Sequence, residues 1–274
     1  MTCPSSTVIF LSGAGGGAPD LNVFRDGVDD TTRFEVVSFP GWRHYVADGF
    51  SSEVLIADLA AQIATKVPRG PIHIVGLSLG GHIGYAIGLH FQAMRREIAG
   101  LCAIDSFMIA SSAPSAGWKS RALEQGIELL RRRRIGEFAR FLRSKFWRAL
   151  VRLAGGRLSG LIQRFSSSSG LPSVFAFDLI FEEELSMRLL IRVTAPWIGS
   201  LDREPVALKA PAILLRTRLT ADDDAAWRRR CPDIAIFEIS GQHHTLFERE
   251  NVNSLRKAFI NATGKWREVV RVGH

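Results

Sequence analysis

Ser78 stands at the centre of Gly76-Leu77-Ser78-Leu79-Gly80, between an apolar run and a helical pattern. A tight strand-to-helix turn of this kind exposes the central hydroxyl, and the positions two before and two after it must lack bulk. The Leu79 amide is then free to donate to a developing oxyanion. A serine hydroxyl at its ordinary pKa is a weak nucleophile and needs a base. Gly241-Gln242-His243-His244 follows the last β-rich run and precedes the last helical pattern, which makes His243 the first choice and His244 the weaker one. A carboxylate must fix the imidazole tautomer and stabilise the imidazolium. Asp105 ends the strand after the serine helix, and the apolar run Leu101–Ile104 defines that strand end well. Asp222, Asp223 and Asp224 follow the next strand and remain the alternative, although they also suit the cap of a helix over Ala225–Arg230. Asp105 is favoured. The chemistry offered is acyl transfer through a covalent acyl-serine. His44, His73, His82, His90 and His274 have no comparable strand-end position and are expected in packing or at the surface.

A glycine-rich loop, Ser12-Gly13-Ala14-Gly15-Gly16-Gly17, follows the first apolar run. Glycines let backbone approach a bound group closely. As a phosphate cradle the loop lacks the Lys-Ser/Thr of a P-loop and a suitably placed acidic ribose ligand, so nucleotide binding is discounted. The three cysteines, Cys3, Cys102 and Cys231, lie far apart and match no metal or disulfide spacing, so no metal or cofactor is expected. That usage favours a reduced, cytoplasmic setting. No signal segment is evident, and no stretch approaches the roughly 20 apolar residues of a membrane span.

These residues need a scaffold. The 274 residues, 46% hydrophobic, supply ample core for one α/β domain with an insertion. Strands are expected over Thr7–Leu11, Phe34–Phe39, Ile72–Gly76, Ala99–Asp105, Ala212–Arg218 and Ile234–Ile239. Helices are expected over Val54–Thr65, Leu79–Phe91, Asp224–Arg230 and Val252–Thr263. The alternation implies a mostly parallel sheet with crossover helices. It breaks after Asp105, where about a hundred residues intervene before the next strand, too many for an ordinary crossover. Residues 1–110 and 206–274 are expected to form the core, and 111–205 a helical, Arg-rich insertion acting as a lid. Leu123, Ile127, Leu130, Phe138, Phe141 (or Leu142), Phe146 and Leu150 recur there at helical spacing.

Charge is concentrated in that insertion. Of the formal net charge of +8, residues 119–164 carry 13 Lys/Arg against three Glu, a local +10, while the remainder is −2. A nearly neutral body with one basic segment calls for an acidic partner there and not for a nucleic-acid coat. Phe138, Phe141, Phe146 and Trp147 lie among the arginines and are expected as lid core; membrane contact is the lesser expectation.

Together these segments resemble the thioesterase domains that terminate nonribosomal peptide and polyketide synthases, over about two-thirds of the chain. Ser12 to Ala18 sits where that family has a His-Pro-Ala-Gly-Gly-like loop, here without the His and Pro. Phe39-Pro40-Gly41 is similar to its Pro-Gly turn, and residues Gly70 to Gly81 form the most specific block. Ile104-Asp105-Ser106 is similar to the segment carrying the family's triad acid, and Gly241-x-His243 followed by Leu246 matches its histidine motif. The resemblance implies an α/β-hydrolase fold and a Ser78/Asp105/His243 triad. It implies oxyanion amides from Leu79 and from the neighbourhood of Ala14 or Gly15. An acyl thioester on the phosphopantetheine arm of an acidic carrier protein would be the substrate, with no cofactor of the enzyme's own. An esterase or lipase on free or membrane-associated esters, and a non-catalytic binding module, are the alternatives. A chain opening with Met1 just ahead of the first strand suits a free-standing protein and an excised domain equally.

Overall fold

The computed structural model describes residues 6–15, 22–25, 32–96, 98–107, 179–217, 221–243 and 245–264, with scattered helical positions between 127 and 146. Six strands are described: β1 (Ser6–Leu11), β2 (Thr32–Val37), β3 (Ile72–Leu77), β4 (Gly100–Ile104), β5 (Ala212–Arg216) and β6 (Ala235–Glu238). They form one all-parallel sheet in the order β2-β1-β3-β4-β5-β6. Helices α1 (Asn22–Arg25), α2 (Trp42–Tyr45), α3 (Ser52–Lys66), α4 (Leu79–Ala93), α5 (Leu179–Arg203), α6 (Ala221–Arg230) and α7 (Val252–Thr263) accompany it.

The central strands are mostly apolar because both faces are covered. Side chains alternate along each strand, so Val8, Phe10, Val75, Cys102, Ile104, Ile213 and Leu215 share one face. They pack with Phe24 of α1 and with Leu255, Phe259 and Ala262 of α7. The opposite face meets α4, where a Cβ on Gly84 would stand 2.9 Å from Ile74 and 3.2 Å from Leu101. Small residues on α4 therefore let the helix that follows Ser78 lie close on β3 and β4.

All six expected strands form, with shifted ends. β2 ends at Val37, two residues short of expectation, and β4 ends at Ile104, which leaves Asp105 beyond the strand. α6 begins at Ala221, so Asp222, Asp223 and Asp224 lie in its first turn and do not precede it as a cap. The aspartates are favoured there because negative charge complements the helix N-terminus.

Two compact units divide the chain: Met1–Phe39 with Ser51–Phe107 and Thr194–His274, and Pro40–Phe50 with Met108–Val193. The boundaries thus fall at Phe107/Met108 and Val193/Thr194, within α5, where the sequence suggests 110/111 and 205/206. The sequence also gives no sign that Pro40–Phe50 joins the second unit. Within that unit the amide of Trp42 donates to Ser186 Oγ at 3.0 Å. The pairing is long-range, so local pattern does not encode it.

One expectation is overturned in the second unit. Phe146 is helical but 60% exposed, so it is not lid core; Ile127 (55%), Ile135 (74%) and Leu142 (51%) are exposed as well. Helical spacing identifies an apolar stripe; it does not say whether another element covers it. Phe138, Phe141 and Trp147 lie outside the described residues. Among the described residues, no helix is long and apolar enough to cross a membrane.

Candidate active site

The site is assembled at the C-terminal edge of the sheet, where loops after β1, β3, β4, β5 and β6 emerge. Ser78 separates β3 from α4 with φ 55° and ψ −118°, a backbone conformation that costs a non-glycine residue energy. Its amide donates to the Ile104 carbonyl at 2.7 Å, which ties this strand-to-helix elbow to the end of β4. The flanking glycines are required sterically. A Cβ on Gly76 would fall within the backbone of Gly80 and Gly81, and one on Gly80 would lie 2.5 Å from the carbonyl oxygens of Leu11 and Ser12.

The amides of Leu79 and Gly80 open α4, where no intrahelical acceptor exists and the helix dipole favours negative charge. The loop after β1 approaches from the other side. Gly13 lies against the elbow, since a Cβ on it would be 3.5 Å from Cβ of Ser78. Ala14 is half-buried and Gly15 exposed in the turn that follows.

Asp105 directly follows β4, at φ 50°, with no exposed surface. Its amide donates to the Leu215 carbonyl at 2.7 Å. One carboxylate oxygen, Oδ1, accepts from both the amide and the hydroxyl of Thr217, each at 2.8 Å. The other, Oδ2, lies 2.7 Å from Nδ1 of His243. With the carboxylate accepting, Nδ1 carries a proton, and in the neutral ring the Nε2 lone pair is left to accept. Among the described residues no hydrogen bond joins Ser78 to His243; contacts of this kind commonly close only with substrate bound.

His243 enters from the loop after β6. Gly241 takes φ 102°, and a Cβ there would meet Asn251 at 2.7 Å. The turn is fixed by Thr245, whose amide donates to the Gln242 carbonyl at 2.8 Å and whose hydroxyl accepts from the Gln242 amide at 2.9 Å. His243 is 46% exposed, and the Phe107 ring lies 6.1 Å from its imidazole.

The structure thus brings together Asp105 and His243 and sets Ser78 at the end of the strand next to the one that Asp105 follows. Asp224 instead pairs with Arg216 of β5, and Asp223 is buried near the charge of Asp202. His244 lies outside the described residues. Thr217 is not legible in the sequence; its one signal is a hydroxyl just beyond the strand that pairs with β4. His73 and His82 are buried, and burial holds both neutral, pushing their pKa values down to about 4 and about 3. Among the described residues, no group of three or more His, Cys, Asp or Glu is placed to hold a metal ion.

Residues 8–254 match the model of the "Alpha/beta hydrolase family". The chain belongs to the alpha/beta hydrolase family. The fold of this hydrolase-family chain is also that of solved thioesterase domains. The NocB thioesterase domain, solved as a covalent complex with a fluorophosphonate nocardicin G analog, is 18% identical with a TM-score of 0.57, covering 95% of each chain. The Vlm2 thioesterase domain bound with a dodecadepsipeptide is 16% identical with a TM-score of 0.55, covering 92% of this chain and 91% of that one. A four-domain nonribosomal peptide synthetase, holo-AB3403, matches at 16% identity and a TM-score of 0.57, over 94% of this chain and 19% of its own. No curated protein matches the chain in sequence.

Proposed function

We propose that the protein is a serine-dependent thioesterase that releases an acyl or peptidyl chain from the phosphopantetheine arm of a carrier protein. The observation that carries this reading is the 2.7 Å contact between His243 and a buried Asp105, held one strand from the strained serine turn. His243 Nε2 takes the Ser78 hydroxyl proton as Oγ attacks the thioester carbonyl. The oxyanion is held by the Leu79 amide and by the backbone around Ala14 or Gly15. The carbon–sulfur bond breaks, the imidazolium gives its proton to the departing thiolate, and an acyl-Ser78 ester remains. Water gives the free acid by the same general-base step; an internal hydroxyl or amine gives a ring or a transfer product. The chain's own groups supply every proton transfer, so the reading needs no resident cofactor, and a cytoplasmic location accords with it. Support comes from the fold shared with thioesterase domains solved with a dodecadepsipeptide and with a fluorophosphonate nocardicin G analog.

An acidic acyl or peptidyl carrier is the partner that the basic segment 119–164 fits, through steering and docking. No nucleic-acid partner belongs to this reading.

The deciding experiment compares turnover of a carrier-bound acyl thioester with that of the matching free ester, alongside fluorophosphonate labelling. Expected are far faster carrier turnover and labelling that disappears in Ser78→Ala and His243→Ala. Absence of labelling in the native protein would leave a hydrolase-fold binding module. Equal turnover of both substrates would favour a second reading, an esterase working at an anionic lipid surface. That reading draws on the exposed Ile127, Ile135 and Leu142 in the same basic segment as the exposed Arg131.

A further inference from the structure

Behind the Asp105 turn lies a buried polar cluster that the chemistry above does not use. Arg230, the last residue of α6, has no exposed surface. Its Nη1 lies 2.7 Å from Nδ1 of His82, which stands one turn beyond Ser78 on α4. A guanidinium only donates, so Nδ1 must accept, and the ring proton of neutral His82 must sit on Nε2. That nitrogen lies 3.0 Å from the Phe107 carbonyl and donates to it. Trp227 stacks on His82 with ring centroids 5.4 Å apart, and its Nε1–H donates to the Ser106 carbonyl at 2.8 Å. Two stacked rings therefore grip two consecutive carbonyls, those of the two residues that follow Asp105. The Phe107 ring then lies against His243.

Arg230 is fixed in turn. Its Nη2 is 2.6 Å from Asp202 and donates to the Ile198 carbonyl at 3.3 Å, and the guanidinium lies 5.3 Å from the Tyr85 and Trp227 ring centroids. A buried ion pair seldom adds stability over an apolar core of the same volume. Its distinctive consequence here is directional, because His82 has two neutral tautomers and only one donates to Phe107.

We infer that Arg230 selects the tautomer of His82, and that His82 with Trp227 fixes the Ser106–Phe107 backbone so that Asp105 and His243 meet in working geometry. Arg230 and His82 are positioning residues; neither touches substrate. The inference rests on the roles proposed for Asp105 and His243, so its test includes a readout that needs no turnover.

The native protein, Arg230→Met, His82→Phe and the double variant are compared in two ways: the rate constant of fluorophosphonate labelling, and 15N imidazole spectra. In the native protein His82 should be neutral with its proton on Nε2. Arg230→Met should give a mixture of tautomers and move the His243 Nδ1–H resonance. Each single variant should label about tenfold more slowly, the scale set by small misplacement of a reacting group. The double variant should fall within about twofold of the slower single one, since both act through one contact. A native His82 protonated on Nδ1 overturns the inference. So do losses that multiply, or variants that label at the native rate with an unmoved His243 signal. Should Arg230→Met not fold, the native tautomer and Arg230→Lys, expected to recover part of the rate, still decide. Should the native protein fail to label at all, the nucleophile assignment falls, while the spectra test the Arg230–His82–His243 chain independently.

Discussion

Ser78 and Asp105 occupy equivalent positions just beyond neighbouring strands: Leu77 pairs with Ile104, and the residue after each turns to a left-handed φ, 55° and 50°. The serine amide reaches back to the Ile104 carbonyl at 2.7 Å, so the two turns are built against each other. Strain at adjacent non-glycine residues persists only where surrounding contacts over-determine it, and such places are commonly functional.

Asp105→Asn should remove the charge that stabilises the imidazolium and invert the hydrogen bond that fixes its tautomer. We expect kcat to fall by several orders of magnitude, about 10⁴ in the best-studied triads, with the fold intact. Asp224→Asn breaks only the pair with Arg216. It should leave turnover within a few-fold of native. Steady-state kinetics on both variants checks the assignment, and a reversed order would transfer the acid to α6.

Thr217→Val deletes one of the two donors to Asp105 Oδ1 and keeps the amide. Loss of a hydrogen bond to a charged group is worth about 1.5–3 kcal/mol when buried. Part of that should appear in the barrier, as a kcat lower by about tenfold or more with KM nearly unchanged. A variant with native kcat would reduce Thr217 to packing. Thr217→Ser should recover most of the loss.

The fold was legible because its signals are local. Apolar runs of strand length, glycines at 76 and 80, and a serine between them follow from short-range sterics that a sequence displays directly. Asp105 and His243 were legible by strand-end position. Thr217, His82, Trp227 and Arg230 were not, because their roles come from pairings 112, 25, 121 and 148 residues apart. Such side-chain contacts leave no periodic trace. The grouping of Pro40–Phe50 with the second unit leaves no local trace for the same reason.

Charge reversal of Arg131 and its neighbours Arg132 to Arg134 tests the docking surface. Arg131 is exposed, and the surrounding segment concentrates the protein's excess charge. We expect weaker binding of an acidic carrier, mostly through a slower on-rate, and a flatter dependence on ionic strength. Turnover of a small free thioester should not change. Native affinity in the reversed variant, measured by titration at two salt concentrations, would remove the carrier from this surface.

His73 and His82 make stability depend on pH in a definite direction. Burial pushes their pKa values from 6.5 to about 4 and about 3, so the native state keeps both neutral while the unfolded chain takes up protons below about pH 6.5. The unfolded state then binds more protons, and stability rises with pH. The contribution is complete above about pH 6.5 and is lost as pH falls toward the native values. Each histidine sets a slope of up to about 1.4 kcal/mol per pH unit within that window. Urea unfolding from pH 7.5 to 4.5 should therefore show a falling midpoint, with a shallower fall in His73→Asn. A midpoint that stays flat over this range would mean that these imidazoles are protonated, or open to water, in the folded protein.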